Sequence, residues 1–309
     1  MTNVTETPSR NSLVALIVAC RPKQWLKNLL VFAAPLAAGA LLVPEVLGAS
    51  VGAFVAFCLA SSATYLVNDV RDAEADRVHP RKRARPIAAG QVSQRAALVL
   101  ATLLVVGSLG LSWLIGPDLL LIVVGYLVAT SLYSLSLKHV PVIELGLLAI
   151  GFLLRAVAGG VASNLPISQW FLIVAGFGSL FMAAGKRFSE LERRVVSPTG
   201  ESGGPKVSTH RRRSLDGYTP GYLRFVWATS AAVTIAAYCL WAFEVGQTPT
   251  SAPWAAFSIV PFVLAILRYA MDIDRGEAEA PEDAVLADRV LLALGFGWLV
   301  LFGLAASGV

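Results

Sequence analysis

Charged residues are scarce in this sequence. Only 15% of its 309 residues are Asp, Glu, Lys or Arg, whereas 56% are hydrophobic. Soluble domains usually carry about a quarter charged residues. Cysteine is scarce too: Cys20, Cys58 and Cys239 are far apart and odd in number, so they provide neither a disulfide framework nor the spacing of a zinc site. These shortages exclude a soluble domain and the disordered, collagen-like and disulfide-rich secreted classes.

Long apolar runs are what the chain has instead. Each is about 20 residues long, enough to cross a hydrocarbon core of about 30 Å, and short polar stretches separate them. The pattern predicts an all-α polytopic membrane protein with about nine transmembrane helices. The spans are expected near residues 29–43, 48–67, 95–115, 119–137, 143–162, 168–185, 222–244, 253–271 and 285–307. We expect a polar N-terminus and interfacial segment over 1–20 and a single transmembrane domain over 21–309.

Lys and Arg are distributed unevenly between the connectors. Those near 44–47, 116–118, 163–167 and 245–252 contain neither residue, whereas the alternate connectors and the N-terminal segment contain many. The positive-inside rule therefore predicts that the N-terminus and the charged loops face the cytoplasm. The net charge of +5 follows from this topology. It does not indicate nucleic-acid binding, because the aromatic residues lie in the spans and not among the basic residues.

The clearest chemical motif follows the second predicted span. Asn68, Asp72 and Asp76 are spaced four residues apart, which on a continuous helix puts three oxygen-bearing side chains on one face; Asp69 lies beside them. Carboxylates held close together repel one another, so such a stripe favours a bound cation. Oxygen ligands of this kind suit Mg²⁺, which binds a few carboxylates together with phosphate oxygens. The alternative is a solvated helix end whose acids are neutralised by nearby arginines.

A basic run, Arg-Lys-Arg-Ala-Arg-Pro at 81–86, comes next. One interpretation is a topology signal that contacts anionic lipid headgroups. The other is a clamp for phosphate oxygens, because arginines such as Arg83 and Arg85 bind phosphate in bidentate geometry. Both interpretations can hold at once.

A second cluster surrounds the predicted connector at 138–142. Tyr133 and Lys138 lie at its start and Glu144 at its end. Arg155 follows Glu144 by three helical turns, so both side chains can face the same way from one helix. Ionisable residues inside an apolar span are costly and therefore indicate function. The alternative is a structural ion pair with a neighbouring helix.

The third cluster ends the sixth predicted span. Lys186 and Arg187 are placed there to meet anionic oxygen atoms at the membrane surface. The segment 197–213 that follows is rich in Ser, Gly and Pro and ends in three arginines. We expect it to be a flexible loop that covers the site. The acidic stretch 272–288 is assigned no chemistry.

These motifs together resemble a known family. Asn-Asp-x-x-Asp-x-x-x-Asp at 68–76, at the end of the second of nine spans, resembles the first aspartate-rich motif of the UbiA superfamily of intramembrane prenyltransferases. The resemblance covers nearly the whole chain. It implies a helical bundle around a central cavity with a cytoplasmic cap, in which the motif holds Mg²⁺ against a diphosphate. The superfamily's usual second Asp-x-x-x-Asp is missing after the fourth span, where Leu148 stands four residues after Glu144.

The segments at 21–28, 133–138, 141–145, 151–155 and 185–187 are similar to those of one branch, the decaprenyl-phosphate phosphoribosyltransferases of the bacterial plasma membrane. This resemblance implies transfer of 5-phosphoribose from phosphoribosyl pyrophosphate to a polyprenyl phosphate such as decaprenyl phosphate. Pyrophosphate leaves, and the product is a lipid-linked precursor of cell-wall arabinan. The resemblance also implies Mg²⁺ as the cofactor, contact with membrane lipids and a homo-oligomer, which is a trimer in this branch.

The motifs and the resemblance together define the expected site. The expected metal ligands are Asn68, Asp69, Asp72 and Asp76. The residues expected to act in catalysis are Asp72, Asp76 and Glu144. The residues expected to bind the substrates are Lys23, Lys27, Arg83, Arg85, Tyr133, Lys138, Arg155, Lys186 and Arg187.

Two other functions remain open at this point. One keeps the superfamily but pairs a prenyl diphosphate donor with an aromatic acceptor, and the missing second aspartate pair argues against it. The other is an ion-coupled transporter, in which intramembrane acids form the pathway. The acids of this chain instead concentrate at one membrane face beside basic residues, which favours phosphate chemistry.

Overall fold

The structure, a computed structural model, describes residues 11–80, 82–196, 213–245, 253–278 and 281–307. Within these ranges the regular structure is entirely helical. The α-helices are α1 (Asn11–Ala19), α2 (Ala33–Ala37), α3 (Pro44–Arg71), α4 (Ala73–Arg77), α5 (Gln94–Ile115), α6 (Pro117–Leu135), α7 (Ile143–Ala162), α8 (Gln169–Val196), α9 (Pro220–Val245), α10 (Trp254–Asp274), α11 (Pro281–Ala287) and α12 (Arg289–Ser307). The 3₁₀ segments are Pro22–Phe32, Lys82–Ala84, Leu137–His139 and Arg213–Gly217.

Eight of the described helices are long and apolar enough to cross a membrane: α3, α5, α6, α7, α8, α9, α10 and α12. The protein is therefore an all-α polytopic membrane protein, which confirms the fold class predicted from the apolar runs. Proline begins α3, α6 and α9, a position where its missing N–H leaves no helical hydrogen bond unmade. The side chain of Ser93 caps α5 by accepting a hydrogen bond from the Ala96 amide at 3.2 Å.

The first predicted span, 29–43, is not among these eight helices. Its residues divide between the 3₁₀ segment Pro22–Phe32 and the short helix α2. The chain then turns at Gly39, whose φ is +65°. A Cβ atom at this glycine would collide with the carbonyl oxygen of Ala306, so the close approach to α12 requires glycine. Apolar composition alone does not reveal this break, and the count of nine spans is not confirmed.

Three apolar cores hold the described part of the bundle. In one, α3, α6 and α7 pack together around Phe57, Leu119 and Tyr126. In the second, α8, α9 and α10 pack around Phe181 and Ile273. In the third, mostly small side chains of α1, α3 and α5 pack together. Large apolar side chains are also exposed around the outside of the bundle, as on α5, α9 and α12. A surface of this kind is suited to lipid and not to water.

Consecutive helices that each cross a membrane must run in opposite directions, so the connectors between them alternate between the two ends of the bundle. We call the end where α3, α6, α8 and α10 finish the charged end. The connectors with Lys and Arg lie there, whereas the described charged residues next to the opposite connectors are the acids Glu45, Asp118 and Glu244. Residues 1–10 and 197–212, which include most of the predicted covering loop, lie outside the described residues.

Candidate active site

The aspartate-rich motif spans a break between two helices. The helix α3 ends at Arg71, and Asp72 is its C-cap with φ −91° and ψ 3°. The helix α4 begins at the next residue. The helical hydrogen bonds continue across this residue, since the Asp72 amide donates to the Asn68 carbonyl oxygen at 2.9 Å and the Asp76 amide donates to the Asp72 carbonyl oxygen at 2.8 Å. The side chains nevertheless differ, because Asp72 is exposed whereas Asp76 on α4 is buried.

Arginines neutralise the two buried aspartates. The Arg85 Nη1 atom lies 3.2 Å from Asp69 Oδ1 and 2.5 Å from Asp76 Oδ2. A second guanidinium, that of Arg21, donates to Asp69 at 2.5 Å, and the Lys82 ammonium lies 3.9 Å from Asp76. The two contacts at 2.5 Å, Arg85–Asp76 and Arg21–Asp69, are short charge-assisted hydrogen bonds, which are the strong kind. The structure therefore shows, for Asp69 and Asp76, the neutralisation by arginine that was the alternative interpretation of the motif. Arg81 lies outside the described residues.

Asn68 and Asp72 differ from those two aspartates. Asn68 is half-buried, Asp72 is exposed, and neither side chain has an ion pair or hydrogen bond within the described ranges. Mg²⁺ commonly binds one or two protein oxygens and completes its octahedron with phosphate oxygens and water. Within those ranges no three His, Cys, Asp or Glu side chains converge to hold a metal on their own. The donor set therefore fits Mg²⁺ carried by a diphosphate better than a metal caged by the protein.

Glu144 lies in a second ionic centre. Its carboxylate is 0% exposed and accepts two hydrogen bonds from Arg187, from Nε at 3.0 Å and from Nη2 at 3.1 Å. Arg187, 1% exposed, also donates to Glu190 at 2.7 Å and to the Tyr133 hydroxyl at 2.9 Å. This centre joins the end of α6, the start of α7 and the end of α8.

Arg155 lies deeper in the bundle and has other partners. Its guanidinium donates to Asn28 Oδ1 at 2.7 Å, to the Gly151 carbonyl oxygen at 2.6 Å and to the Tyr126 hydroxyl at 2.8 Å. It also lies 4.5 Å from the centre of the Tyr126 ring, at cation–π distance. Arg155 and Glu144 share a helix, as the spacing predicts, but the structure does not bring them together.

The remaining predicted cations lie at the charged end or on the segment that leads away from it. Lys23 and Arg83 are exposed, and Lys138 and Lys186 are half-buried. Lys27 donates to the Gln24 side chain at 2.6 Å. Outside the predicted site, sequence reasoning missed Arg21 and Glu190. The partner of Arg21 is known only from the packing, since Asp69 is 48 residues away, whereas Glu190 follows Arg187 by three residues on one helix, a spacing that could have predicted their contact.

A large apolar cavity lies inside the bundle. Its volume is about 920 Å³, and the 3₁₀ segment Pro22–Phe32 forms its wall together with α2, α7, α8, α9, α10 and α12. Its lining runs from Leu165 near the uncharged end, past Trp241 and Phe302, to Tyr269 and Val285 near the charged end. The surface is almost entirely carbon, so it suits a long hydrocarbon chain.

Comparison with known proteins gives the family. Residues 28–194 match the UbiA prenyltransferase family. A protein named decaprenyl-phosphate phosphoribosyltransferase from Mycobacterium tuberculosis (strain ATCC 25618 / H37Rv) is 47% identical over 309 residues, which cover 99% of this chain and 98% of that protein. The protein of the same name from Corynebacterium glutamicum is 47% identical over 303 residues, covering 96% of this chain and 88% of that protein.

The fold has counterparts among solved structures. A UbiA homolog from Archaeoglobus fulgidus bound to GPP and Mg²⁺ superposes with a TM-score of 0.68 at 17% sequence identity, covering 96% of this chain and all of the other. At that identity the likeness shows the fold alone. Because the family match spans more than half of the sequence, and because the relatives are similar over nearly their whole length, this chain belongs to the UbiA prenyltransferase family.

Proposed function

We propose that this protein is a decaprenyl-phosphate phosphoribosyltransferase. It transfers 5-phosphoribose from phosphoribosyl pyrophosphate to a polyprenyl phosphate and releases pyrophosphate. The observation that carries the proposal is the 47% identity, over nearly the full length, to proteins that bear this name. The geometry supports it, because phosphate-binding residue types cluster at the charged end and the bundle also contains a cavity lined with carbon.

Asn68 and Asp72 are the residues that we assign to the metal. They have open oxygens, whereas Asp69 and Asp76 are held by Arg21 and Arg85. Mg²⁺ bound there supplies positive charge that stabilises the leaving pyrophosphate. The buried aspartates keep Arg85 in place, and its remaining N–H groups are available for phosphate oxygens.

The two substrates require different cations. Arg83, Arg85 and Lys186 lie at the charged end, where we assign them to the 5-phosphate and the pyrophosphate of the donor. Lys23, Lys27 and Lys138 are assigned to the phosphate of the lipid, whose tail occupies the apolar cavity. A phosphate monoester is already an anion at neutral pH, so attack on C1 of the ribose requires no general base.

Glu144 and Arg187 are assigned a positioning part in this reaction. Two carboxylates surround Arg187, and Glu144 is fully enclosed, so neither side chain is open to solvent. They fix Tyr133, whose hydroxyl faces the same centre, and they hold the part of α8 that contains Lys186. Catalysis depends on such preorganised placement of charge.

Transfer of labelled phosphoribose tests the proposal. Purified protein with phosphoribosyl pyrophosphate, decaprenyl phosphate and Mg²⁺ is expected to give a lipid product that carries the label, and a chelator is expected to abolish it. Asp72→Asn is expected to lower the rate by at least about 100-fold, the size seen when a group that stabilises developing charge is removed. The matched control is Glu74→Gln, because Glu74 is exposed on the neighbouring helix α4 and is assigned no part.

The same assay separates the other functions. No labelled lipid with the phosphoribosyl donor, but a prenylated aromatic product with a prenyl diphosphate, would show the role-reversed transferase. Flux of a solute into proteoliposomes without any transfer would show a carrier. Transfer that is unchanged by Asp72→Asn would contradict the assignment of the metal site.

We further propose that the charged end faces the cytoplasm and that the protein forms a homo-oligomer, a trimer. Lys and Arg concentrate at that end, as the positive-inside rule requires. Labelling of Arg83→Cys by an impermeant thiol reagent in inverted vesicles, but not in right-side-out vesicles, is the expected result for orientation. The mass of the purified protein in detergent tests the oligomeric state, and a monomer would contradict that part.

A further inference from the structure

The connector between α6 and α7 contains a backbone outlier. Val142 has φ +68° and ψ −52°, and the Ile143 amide donates to the Pro141 carbonyl oxygen at 2.8 Å. These values define a γ-turn of the rare, strained type, whose central residue has φ near about +75° and ψ near about −65°. A β-branched residue is among the least suited to positive φ. The strained turn therefore persists because its surroundings hold it.

A tyrosine in the short connector before α9 holds this turn. The Val142 amide donates to the Tyr218 hydroxyl at 2.6 Å. Tyr218 is 6% exposed and stacks on Tyr222 with ring centres 5.9 Å apart. The preceding residue, Gly217, packs so closely that a Cβ atom there would lie 2.6 Å from Pro141 Cγ. Tyr218 and Gly217 together clasp the turn from outside.

The clasped turn lies directly before the second ionic centre. Val142 is the N-cap of α7, and its carbonyl oxygen accepts the Gly146 amide at 3.0 Å, so its conformation sets the direction of the first turn of the helix. Glu144 belongs to that turn, and its carboxylate holds Arg187. Burial raises the pKa of Tyr218 to about 12, so its hydroxyl stays neutral while it accepts this bond.

We infer that Tyr218 is a positioning residue, whose hydroxyl holds the strained turn at Val142 and thereby places Glu144 against Arg187. The inference rests on the proposed transferase function for its effect on rate, but the clasp itself is a property of the fold. Tyr218 belongs to the connector that follows residues 197–212 and contacts the N-terminus of α7, so this connector has a role in the site. The strain at Val142 is released when the clasp is lost, and the carboxylate of Glu144 moves with the turn.

Removal of the Tyr218 hydroxyl tests the inference. Tyr218→Phe keeps the ring and its stacking but loses the bond to Val142, and we expect kcat to fall about tenfold, the size of one neutral hydrogen bond. KM for both substrates is expected to stay within about twofold, because no substrate-binding group is removed. Tyr222→Phe is the matched control: this ring stacks on Tyr218, and its loss of a hydroxyl is expected to leave kcat unchanged.

Rescue separates positioning from general destabilisation. Glycine adopts positive φ without strain, so Val142→Gly in the Tyr218→Phe background is expected to restore kcat to within about threefold of the parent. Val142→Ala in the same background removes the side chain but keeps the Cβ atom, and we expect less restoration. The unfolding temperature of each variant is measured beside kcat, because a purely structural role predicts that the fall in kcat follows a fall in the unfolding temperature. Failure of Val142→Gly to restore more activity than Val142→Ala would overturn the inference.

Amide hydrogen exchange tests the contact between Tyr218 and Val142 without an activity assay. In the ligand-free protein, Tyr218→Phe is expected to speed exchange of the amides at 143–146 about tenfold, whereas Tyr222→Phe is not. If the parent protein transfers no phosphoribose but this acceleration is seen, the proposed function fails and the clasp stands. If exchange at 143–146 is the same in Tyr218→Phe as in the parent, the clasp does not hold the turn and the inference is wrong.

Discussion

Two buried arginines, Arg155 and Arg187, have opposite surroundings in the same bundle. They are 7% and 1% exposed, and each donates hydrogen bonds to a tyrosine hydroxyl. The other partners of Arg155 are neutral, an amide side chain and a backbone carbonyl. Arg187 instead lies between the carboxylates of Glu144 and Glu190.

The difference follows from their depth. Arg155 is 12 residues into α7, which is about 18 Å along the helix, near the middle of the bundle. There it joins α7 to α6 and to the 3₁₀ segment Pro22–Phe32, so it acts as a clamp with no carboxylate within reach. Arg187 lies at the charged end, where substrates with phosphate groups are proposed to bind. The same side chain therefore serves packing in one region and an ionic site in the other.

The largest expected effect is that of Arg187→Met. It leaves the Glu144 carboxylate fully buried without its cation, and breaking a buried pair in this way costs about 3–5 kcal/mol. Thermal unfolding in detergent measures the loss, and transfer of phosphoribose is expected to fall at least about 100-fold, since a small misplacement of reacting groups has that effect. The double variant Glu144→Gln/Arg187→Met removes both charges and is expected to recover much of the stability but not the activity. Equal stability of the single and double variants would contradict the pairing.

Arg155→Met is the matched variant for the other region. It leaves Asn28 Oδ1 and the Tyr126 hydroxyl without this donor. Because both groups are neutral, we expect the low end of the cost of about 1–3 kcal/mol for each unsatisfied group, about 2 kcal/mol in total. No buried carboxylate is left behind, so the destabilisation is expected to be smaller than for Arg187→Met. KM for both substrates is expected to stay unchanged. A large rise in KM without a loss of thermal stability would show that Arg155 binds substrate, as the sequence predicts.

The two tyrosines allow a finer comparison. Tyr126→Phe and Tyr133→Phe each remove one acceptor from a buried arginine, and a hydrogen bond to a charged group contributes about 1.5–3 kcal/mol. We expect Tyr126→Phe to lower the unfolding temperature with little change in kcat. For Tyr133→Phe, the rise in activation free energy calculated from kcat is expected to exceed the loss in the free energy of unfolding. If both variants behave alike in both measurements, the two regions do not differ in the way proposed here.

The smallest change in stability is expected at a third arginine, Arg268, which lies near the surface. Arg268 donates to Asp288 at 2.6 Å, and the Val290 and Leu291 amides donate to the same carboxylate at the start of α12. These bonds lower the pKa of Asp288. The folded protein therefore gains stability from the ionised form above the ordinary pKa of Asp, and it loses this gain as pH falls through the lowered pKa.

Asp288→Asn is accordingly expected to lower the unfolding temperature slightly at neutral pH and not at all in strong acid. Thermal unfolding of both proteins between neutral pH and strong acid measures the difference, from which the titrating groups that do not interact with Asp288 cancel. A difference that is constant with pH would show that the ionised carboxylate contributes nothing.

The aspartate-rich motif shows how far sequence reasoning reaches into the site. The residue types and their spacing predict a phosphate-binding and Mg²⁺-binding region at this helix end, and the motif lies within the residues that match the family. The spacing rule assumed a continuous helix, so it put Asp76 on the same face as Asp72. The helix breaks at Asp72, and Asp76 meets Arg85 instead. A break in a helix depends on the packing of both halves, which no local pattern contains.

The ionic partners show the same limit. Helical periodicity correctly put Glu144 and Arg155 on one helix, but it did not identify the arginine that Glu144 contacts. Arg187 is 43 residues away in sequence, and only the packing of α7 against α8 brings it there. The strained turn at Val142 and its contact with Tyr218, 76 residues away, left no sequence signal at all.

The sequence by itself determined the class of protein, most of its membrane spans and the end of the bundle where its charges lie. These properties depend on the transfer of apolar and charged groups between water and lipid, which is a sum over local composition. Among the described residues, the tertiary structure alone decided which carboxylates are neutralised by arginine, which have no ion pair, and which buried cation has only neutral partners. Those outcomes depend on distances between side chains on different helices, because electrostatic and hydrogen-bond energies change steeply over a few ångströms.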